Sequence, residues 1–224
     1  MRNSREWRAD VGADDVTVML DPAIDGGEAK HLFVCAHGAG GHMADRGMLA
    51  VTAQLRERGL DVVRFNFPYS EKKSHRPDPM PRLMDCIASV VSLARDEIGP
   101  RRLIIGGRSM GGRAASMLAA EGFACDGLLL LAYPLHPAGE PQKLRDAHLP
   151  RIAAPVLCFN GTRDALCRRD LMDAVVSGLG GNWRMHWLEG ADHSFHVTKA
   201  TGRTDCDVLE EIGMATQDWH SSLR

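Results

Sequence analysis

The chain predicts an α/β fold, a three-layer sandwich whose doubly wound, mostly parallel sheet is covered by helices on both faces. Three observations predict it. Short continuous apolar runs alternate with amphipathic helical segments over most of the sequence. The runs have the length of roughly 4–8 residues that suits strands buried on both faces. The chain's 224 residues, 44% of them hydrophobic, suffice for one sizeable core. A single domain over 1–224 without a large cap is expected.

Taken in order, "DVTVML" (15–20) and "KHLFVCA" (30–36) read as strands around the turn "DGG". "GMLAVTAQLRERG" (47–59) has apolar residues three and four apart and stops at Gly59. "LDVVRFNF" (60–67) is a strand ending at Pro68. "MPRLMDCIASVVSLARDEIG" (80–99) is a helix with Pro81 near its start and Gly99 at its end. "RRLIIGG" (101–107) is a strand, followed by the helix "GGRAASMLAAEG" (111–122). "DGLLLLAYP" (126–134) and "PVLCFNG" (155–161) are short enough for buried parallel strands. "LCRRDLMDAVVSGLG" (166–180) and "DVLEEIGMATQDWHSSL" (207–223) are helical, with the strand "NWRMHWLEG" (182–190) between them. The least regular stretches, 68–80 and 134–152, are polar or proline-rich and read as loops at the rim of a cleft.

The balance of charge excludes several functions. A net charge of -2, from 27 basic and 29 acidic residues, gives no field to attract nucleic acid or an anionic membrane. No window approaches the ~18 apolar residues of a membrane span. The opening "MRNSREWRADVGADD" lacks the apolar core of a secretory signal, so a cytoplasmic protein is expected. The six cysteines form no CxxC pair, and Cys35 and Cys158 sit inside strand-like runs, so they read as reduced core residues. The ten histidines show no HxxxH or HxH pair, and no metal or other cofactor is expected.

The densest chemical signal is "LIIGGRSMGGRAAS" (103–116), which two chemistries could use. A phosphate loop requires G-x-x-x-x-G-K-[ST]. Gly107 and Gly112 have that spacing, but Arg113 stands at the lysine position and Ala114 at the hydroxyl position, so the magnesium ligand is missing. The dinucleotide pattern G-x-G-x-x-G is absent. The alternative is G-x-S-x-G, here Gly107 to Gly111 around Ser109, between a strand and a helix. That context is the one in which a strained turn presents a serine as nucleophile, with small residues two before and two after.

A serine hydroxyl needs a base, and the base a carboxylate to orient it. In this type of fold the order is Ser, acid, His. "GTRDALC" places Asp164 just beyond the strand 155–161, and "EGADHSFHV" places His193 just beyond the strand near 183–188, with His196 as a rival. Separately, Asp164 could be a helix cap and His193 a surface loop residue. Their joint order and strand-end placement favour a triad of Ser109, Asp164 and His193. The oxyanion would need preorganised N–H donors. "CAHGAGGHM" (35–43) follows a strand, so the backbone amides of Ala39 and of Met110 are the candidate donors. Arg108, Tyr133, Leu135 and His136 are candidate substrate contacts, and Phe67 and Tyr69 could line the pocket from another loop. Core packing is the alternative for the aromatics, and internal pairing with an acid for Arg108.

With "HGAGG", "RFNFPY", "GGRSMGGR", "YPLHP", "GTRD" and "ADHSF" in this order, the chain resembles the α/β-hydrolase superfamily. Within it, the chain is similar to the small lidless dienelactone-hydrolase-like members. It looks like the group that contains testis-expressed hydrolase-like proteins and a subunit of a histone-acetyltransferase complex. The resemblance covers about residues 15–223. It implies Ser109 as nucleophile, Asp164 as acid and His193 as base. Dienelactone hydrolases carry a cysteine where Ser109 stands, so their substrate is not carried over. The expected function is a serine hydrolase acting on a small-molecule acyl substrate, a carboxylic ester first, with thioester and peptide amide open. The other reading is an interaction module with little turnover, whose signature would be loss of Ser, Asp or His; none is lost.

Overall fold

The computed structural model describes residues 2–24 and 29–223. The turn expected at 25–27 lies outside them. The chain opens with β1 (Arg5–Val11) and β2 (Asp14–Asp21), an antiparallel hairpin. There follow β3 (His31–Ala36), α1 (Arg46–Glu57), β4 (Leu60–Phe65), the short α2 (Pro68–Glu71), α3 (Met80–Ile98), β5 (Arg102–Arg108) and α4 (Met110–Ala120). β6 (Gly127–Leu131), β7 (Val156–Gly161), α5 (Arg169–Ser177), β8 (Trp183–Leu188) and α6 (Asp205–Ser222) complete the series.

The eight strands lie in the order β1-β2-β4-β3-β5-β6-β7-β8, with β1 and β2 antiparallel and the remaining six mutually parallel. From β3 the chain crosses to β4 on one side and then returns to β5 on the other. The loops leaving β3 and β5 therefore diverge, and the crevice between them is where ligands of such sheets bind. The sheet is dressed on both faces. Met48, Val51 and Leu55 of α1 and Val208, Ile212 and Trp219 of α6 pack with Phe33, Leu129 and Phe159. On the opposite face Leu83, Ile87 and Val90 of α3 and Ala114 and Ala115 of α4 pack with Val34, Ile105 and Leu130. β3, β4, β6 and β7 are buried at every position, as continuous apolar strands must be. Cys35, Cys86, Cys158 and Cys167 are small residues of this interior.

Two local readings change. The N-terminal segment, to which no strand was assigned, contains β1; it buries just Ala9 and Val11, so it carries almost no apolar signal. The strand expected over 60–67 ends at Phe65, because the Asn66 amide turns to the Thr17 carbonyl and Phe67 precedes α2. The rim segments contain α2 and a single 3-10 turn, Leu149–Arg151, and are otherwise irregular. Among the described residues, no helix is long and apolar enough to cross a membrane.

Candidate active site

Ser109 sits between β5 and α4 with φ 49 and ψ -115, a conformation that a non-glycine residue holds only under constraint. The constraint is close packing on both sides. Gly107 has φ 140, and a side chain there would collide with the backbone of Ala36. At Gly111 a Cβ would lie 2.5 Å from the His37 carbonyl oxygen. The Ser109 amide donates to the Leu131 carbonyl at 2.9 Å, tying the turn to the end of β6. The serine side chain makes no capping bond to α4, so its oxygen is left for other partners.

That partner is His193. Its Nε2 lies 2.9 Å from Ser109 Oγ, and its Nδ1 lies 2.8 Å from Asp164 Oδ2 and 3.0 Å from Oδ1. An ionised carboxylate only accepts, so Nδ1 carries the proton and Nε2 is left to accept from the serine hydroxyl. Asp164 is held in a turn closed by its own amide on the Gly161 carbonyl at 3.1 Å. Its buried carboxylate also accepts from the Leu166 amide at 2.8 Å and from Asn160 Nδ2 at 3.0 Å. Three donors satisfy a charge that burial would otherwise make costly. The rival His196 is elsewhere: it is exposed and bonds Asp205 of α6 at 2.9 Å, which raises its pKa.

The loop after β3 lies against the serine, since a Cβ on Gly38 would stand 3.6 Å from Ser109 Cβ. The Gly38 carbonyl accepts from His37 Nδ1 at 2.8 Å and from the Tyr69 hydroxyl at 3.2 Å. In a trans peptide the N–H points opposite to the C=O. Fixing that carbonyl therefore aims the Ala39 N–H the other way. Among the described residues, neither the Ala39 nor the Met110 amide donates to a protein acceptor. Met110 opens α4, whose first-turn amides and dipole favour negative charge. His37 Nε2 accepts from the Phe67 amide at 3.1 Å, and burial pushes its pKa down to about 4, so the ring is a neutral spacer. Burial likewise pushes the Tyr69 hydroxyl up to about 12.

Among the described residues, Arg108 forms no ion pair with an acid. Its Nη2 donates to the His193 carbonyl at 3.2 Å, and its guanidinium lies 5.6 Å from the centre of the Phe195 ring. Burial lowers its pKa, opposed by the fields of Asp192 and Asp45. Phe195 itself has φ 63, so this contact clamps a strained loop that carries His193.

Tyr133 and His136 are not at the cleft surface. Tyr133 is fully buried, with its hydroxyl donating to the Arg145 carbonyl at 2.6 Å. Its backbone amide and carbonyl engage Asn160, which in turn holds Asp164. His136 is buried between loops, its Nδ1 donating to the Pro137 carbonyl at 2.9 Å and its Nε2 accepting from the Arg168 amide at 3.1 Å. Phe67 and Leu135 are core residues, and Tyr69 serves through its hydroxyl. Asn160 and His37 were missed as site residues; the signals that could have found them are that Asn160 directly precedes "GTRD" and that His37 opens "HGAGG". A cavity of about 480 Å³ lined by Lys30, His31, Arg102 and His220 lies at the opposite, amino edge of the sheet and contains none of these groups.

A strained serine at the carboxyl edge of a doubly wound sheet, in line with a histidine and a buried aspartate, defines a protein of the α/β-hydrolase class. The match to known proteins agrees: a family model described as an alpha/beta hydrolase domain covers residues 29–221, and the chain belongs to that family. A serine hydrolase homologue from Coxiella burnetii superposes with TM-score 0.78 at 21% identity, over 94% of this chain and 96% of the other. A lidless serine hydrolase from Xanthomonas campestris gives 0.77 at 21%, over 96% and 94%. A dienelactone hydrolase from Anabaena variabilis gives 0.74 at 18%, over the whole of both chains. These likenesses show the shared fold.

Proposed function

We propose that the chain acts as one domain, a serine hydrolase that cleaves a small acyl substrate, a carboxylic ester first, through an acyl-enzyme. His193 takes the Ser109 proton as Oγ attacks the carbonyl carbon, and Asp164 stabilises the imidazolium that results. The Ala39 and Met110 amides receive the negative charge that develops on the carbonyl oxygen. His193 then protonates the leaving alcohol, and water, deprotonated by the same ring, releases the acid and restores Ser109. The observation that carries this reading is the unbroken line Ser109 Oγ, His193 Nε2, His193 Nδ1, Asp164 Oδ2, with gaps of 2.9 and 2.8 Å. The unpaired state of all six thiols supports a cytoplasmic setting.

The test is labelling by a fluorophosphonate probe, comparing the protein with Ser109→Ala. Labelling of the first alone is expected; equal labelling of both would sink the assignment. A p-nitrophenyl ester should be turned over faster than a thioester or a peptide amide of the same acyl group.

A further inference from the structure

At the amino edge of the sheet, away from Ser109, His31 opens β3 and Arg102 opens β5, and the parallel register sets the two side by side. Paired residues of a parallel ladder project to one face, and successive residues alternate between faces. His31 and Arg102 therefore share the face of Phe33 and Ile104, which α1 and α6 cover. The last turn of α6 brings His220 over this corner, with its ring centroid 4.9 Å from that of His31. His220 Nε2 donates to the Arg58 carbonyl at 3.0 Å, which ties α6 to the end of α1. Between these pieces opens the cavity of about 480 Å³, lined by Lys30, His31, Arg102, His220 and Ser221 among others. That is the size of a small-molecule site.

Two atoms of this corner lack the partner that burial demands. His31 is 6% and His220 7% exposed, and His31 Nε2 and His220 Nδ1 are buried with no hydrogen-bond partner. Because His220 Nε2 carries the proton it gives to Arg58, Nδ1 of the neutral ring is a bare acceptor. Leaving such nitrogens unsatisfied is costly. Lys30 and Arg102 are exposed at the same cavity, and among the described residues neither forms an ion pair. No carboxylate stands among the described residues of the lining. Asp126, just outside it, accepts from the Leu103 amide at 2.7 Å. Burial first, then His220, Arg102 and Lys30, push His31 down to about 4 against the pull of Asp126. Burial lowers His220 as well, opposed by the Arg58 carbonyl. At the end of α6 the Trp219 and His220 carbonyls are already taken by Ser222 Oγ at 2.6 Å and the Leu223 amide at 3.2 Å. An anion in the cavity would pair both cations and let each imidazole take up a proton and donate it. A metal ion could use the same lone pairs, but two cations and no anionic ligand in the lining disfavour it. A tetrahedral dianion matches the two charges and the donors converging from β3, β5 and α6.

We infer that this cavity binds a phosphate group, free or carried on a small organic molecule, through Lys30, His31, Arg102 and His220, at a site separate from the catalytic cleft. The experiment follows the imidazole C2–H resonances of His31 and His220 in the full chain at pH 7 during titration with inorganic phosphate. Sodium chloride holds the ionic strength constant, so that general screening is removed from the reading. Both resonances should shift saturably in the wild type. Lys30→Gln and Arg102→Gln, whose side chains are exposed, should keep the wild-type melting temperature and each bind phosphate about tenfold more weakly. With phosphate saturating, the pKa of His31 should rise from about 4 toward its ordinary 6.5. Tighter binding of glycerol 3-phosphate than of inorganic phosphate assigns a phosphorylated organic ligand, and the reverse order assigns free phosphate. Absence of a saturable shift, or an affinity unchanged in both variants, overturns the site. A saturable response to zinc chloride with none to phosphate overturns it too, by making the corner a cation site.

Discussion

Asp164 Oδ2 lies 2.8 Å from His193 Nδ1, and the aspartate side chain is wholly buried while the histidine is partly open to the cleft. The carboxylate is thus a fixed acceptor that chooses the histidine tautomer. Asp164→Asn keeps the shape but offers an amide where an acceptor is required. Turnover of a p-nitrophenyl ester should fall by about 10⁴-fold with the fold intact. A loss of less than about tenfold, measured as kcat on folded protein, would remove Asp164 from its role.

His37 Nδ1, the Tyr69 hydroxyl and the Gly41 amide all bond the Gly38 carbonyl and so set the direction of the Ala39 N–H. Tyr69→Phe removes one of the three and leaves His37 and the Gly41 amide in place. Because the carbonyl can then rotate, kcat should drop by up to about tenfold, with KM nearly unchanged. An unchanged kcat alongside a lowered melting temperature would make Tyr69 a packing residue only.

Arg108 bonds the His193 carbonyl and stacks on Phe195, so it positions the base. Arg108→Met should lower kcat by about tenfold for neutral and anionic esters alike, leaving their ratio as it was. A selective loss on the anionic ester would show Arg108 to be a substrate anchor instead.

Buried His37 has its pKa pushed from an ordinary 6.5 down to about 4. The unfolded chain takes up a proton at this residue near pH 6.5, whereas the folded chain refuses it until about pH 4. Unfolding therefore binds protons in that window, and the stability held above it is lost as pH falls through it. His37 alone contributes a slope of about 1.4 kcal/mol per pH unit there. His148, lowered to about 4 mainly by burial, acts in the same direction. The urea midpoint should be lower at pH 5 than at pH 7; equal midpoints would contradict the neutral, buried state of these rings.

Legibility followed the range of the interactions involved. The buried strands could be read because each residue of "HLFVCA" or "GLLLL" meets apolar neighbours whichever way it points. The serine turn could be read because its requirement for small residues is local. β1 could not, since its place depends on pairing with β2 and on only two buried side chains. Tyr133 and His136 were expected at the cleft because they follow a strand end. The fold instead turns both inward, where Tyr133 bonds Arg145 and His136 bridges two loops.

By itself, then, the sequence determined the alternation of elements, the order Ser109, Asp164, His193, and the failure of the phosphate-loop alternative at Arg113 and Ala114. Those depend on residue type and spacing along the chain. Only the tertiary structure decided that His193 rather than His196 meets Ser109, and that Asn160 supports Asp164. It also decided that Arg108 grips the His193 loop. The reason is physical: His193 meets Ser109, and Arg108 meets the His193 carbonyl, across separations of 84 and 85 residues, and Asn160 reaches Asp164 only because the turn between them closes on the Gly161 carbonyl. Such contacts are selected by packing across the sheet, and local propensity carries no information about them.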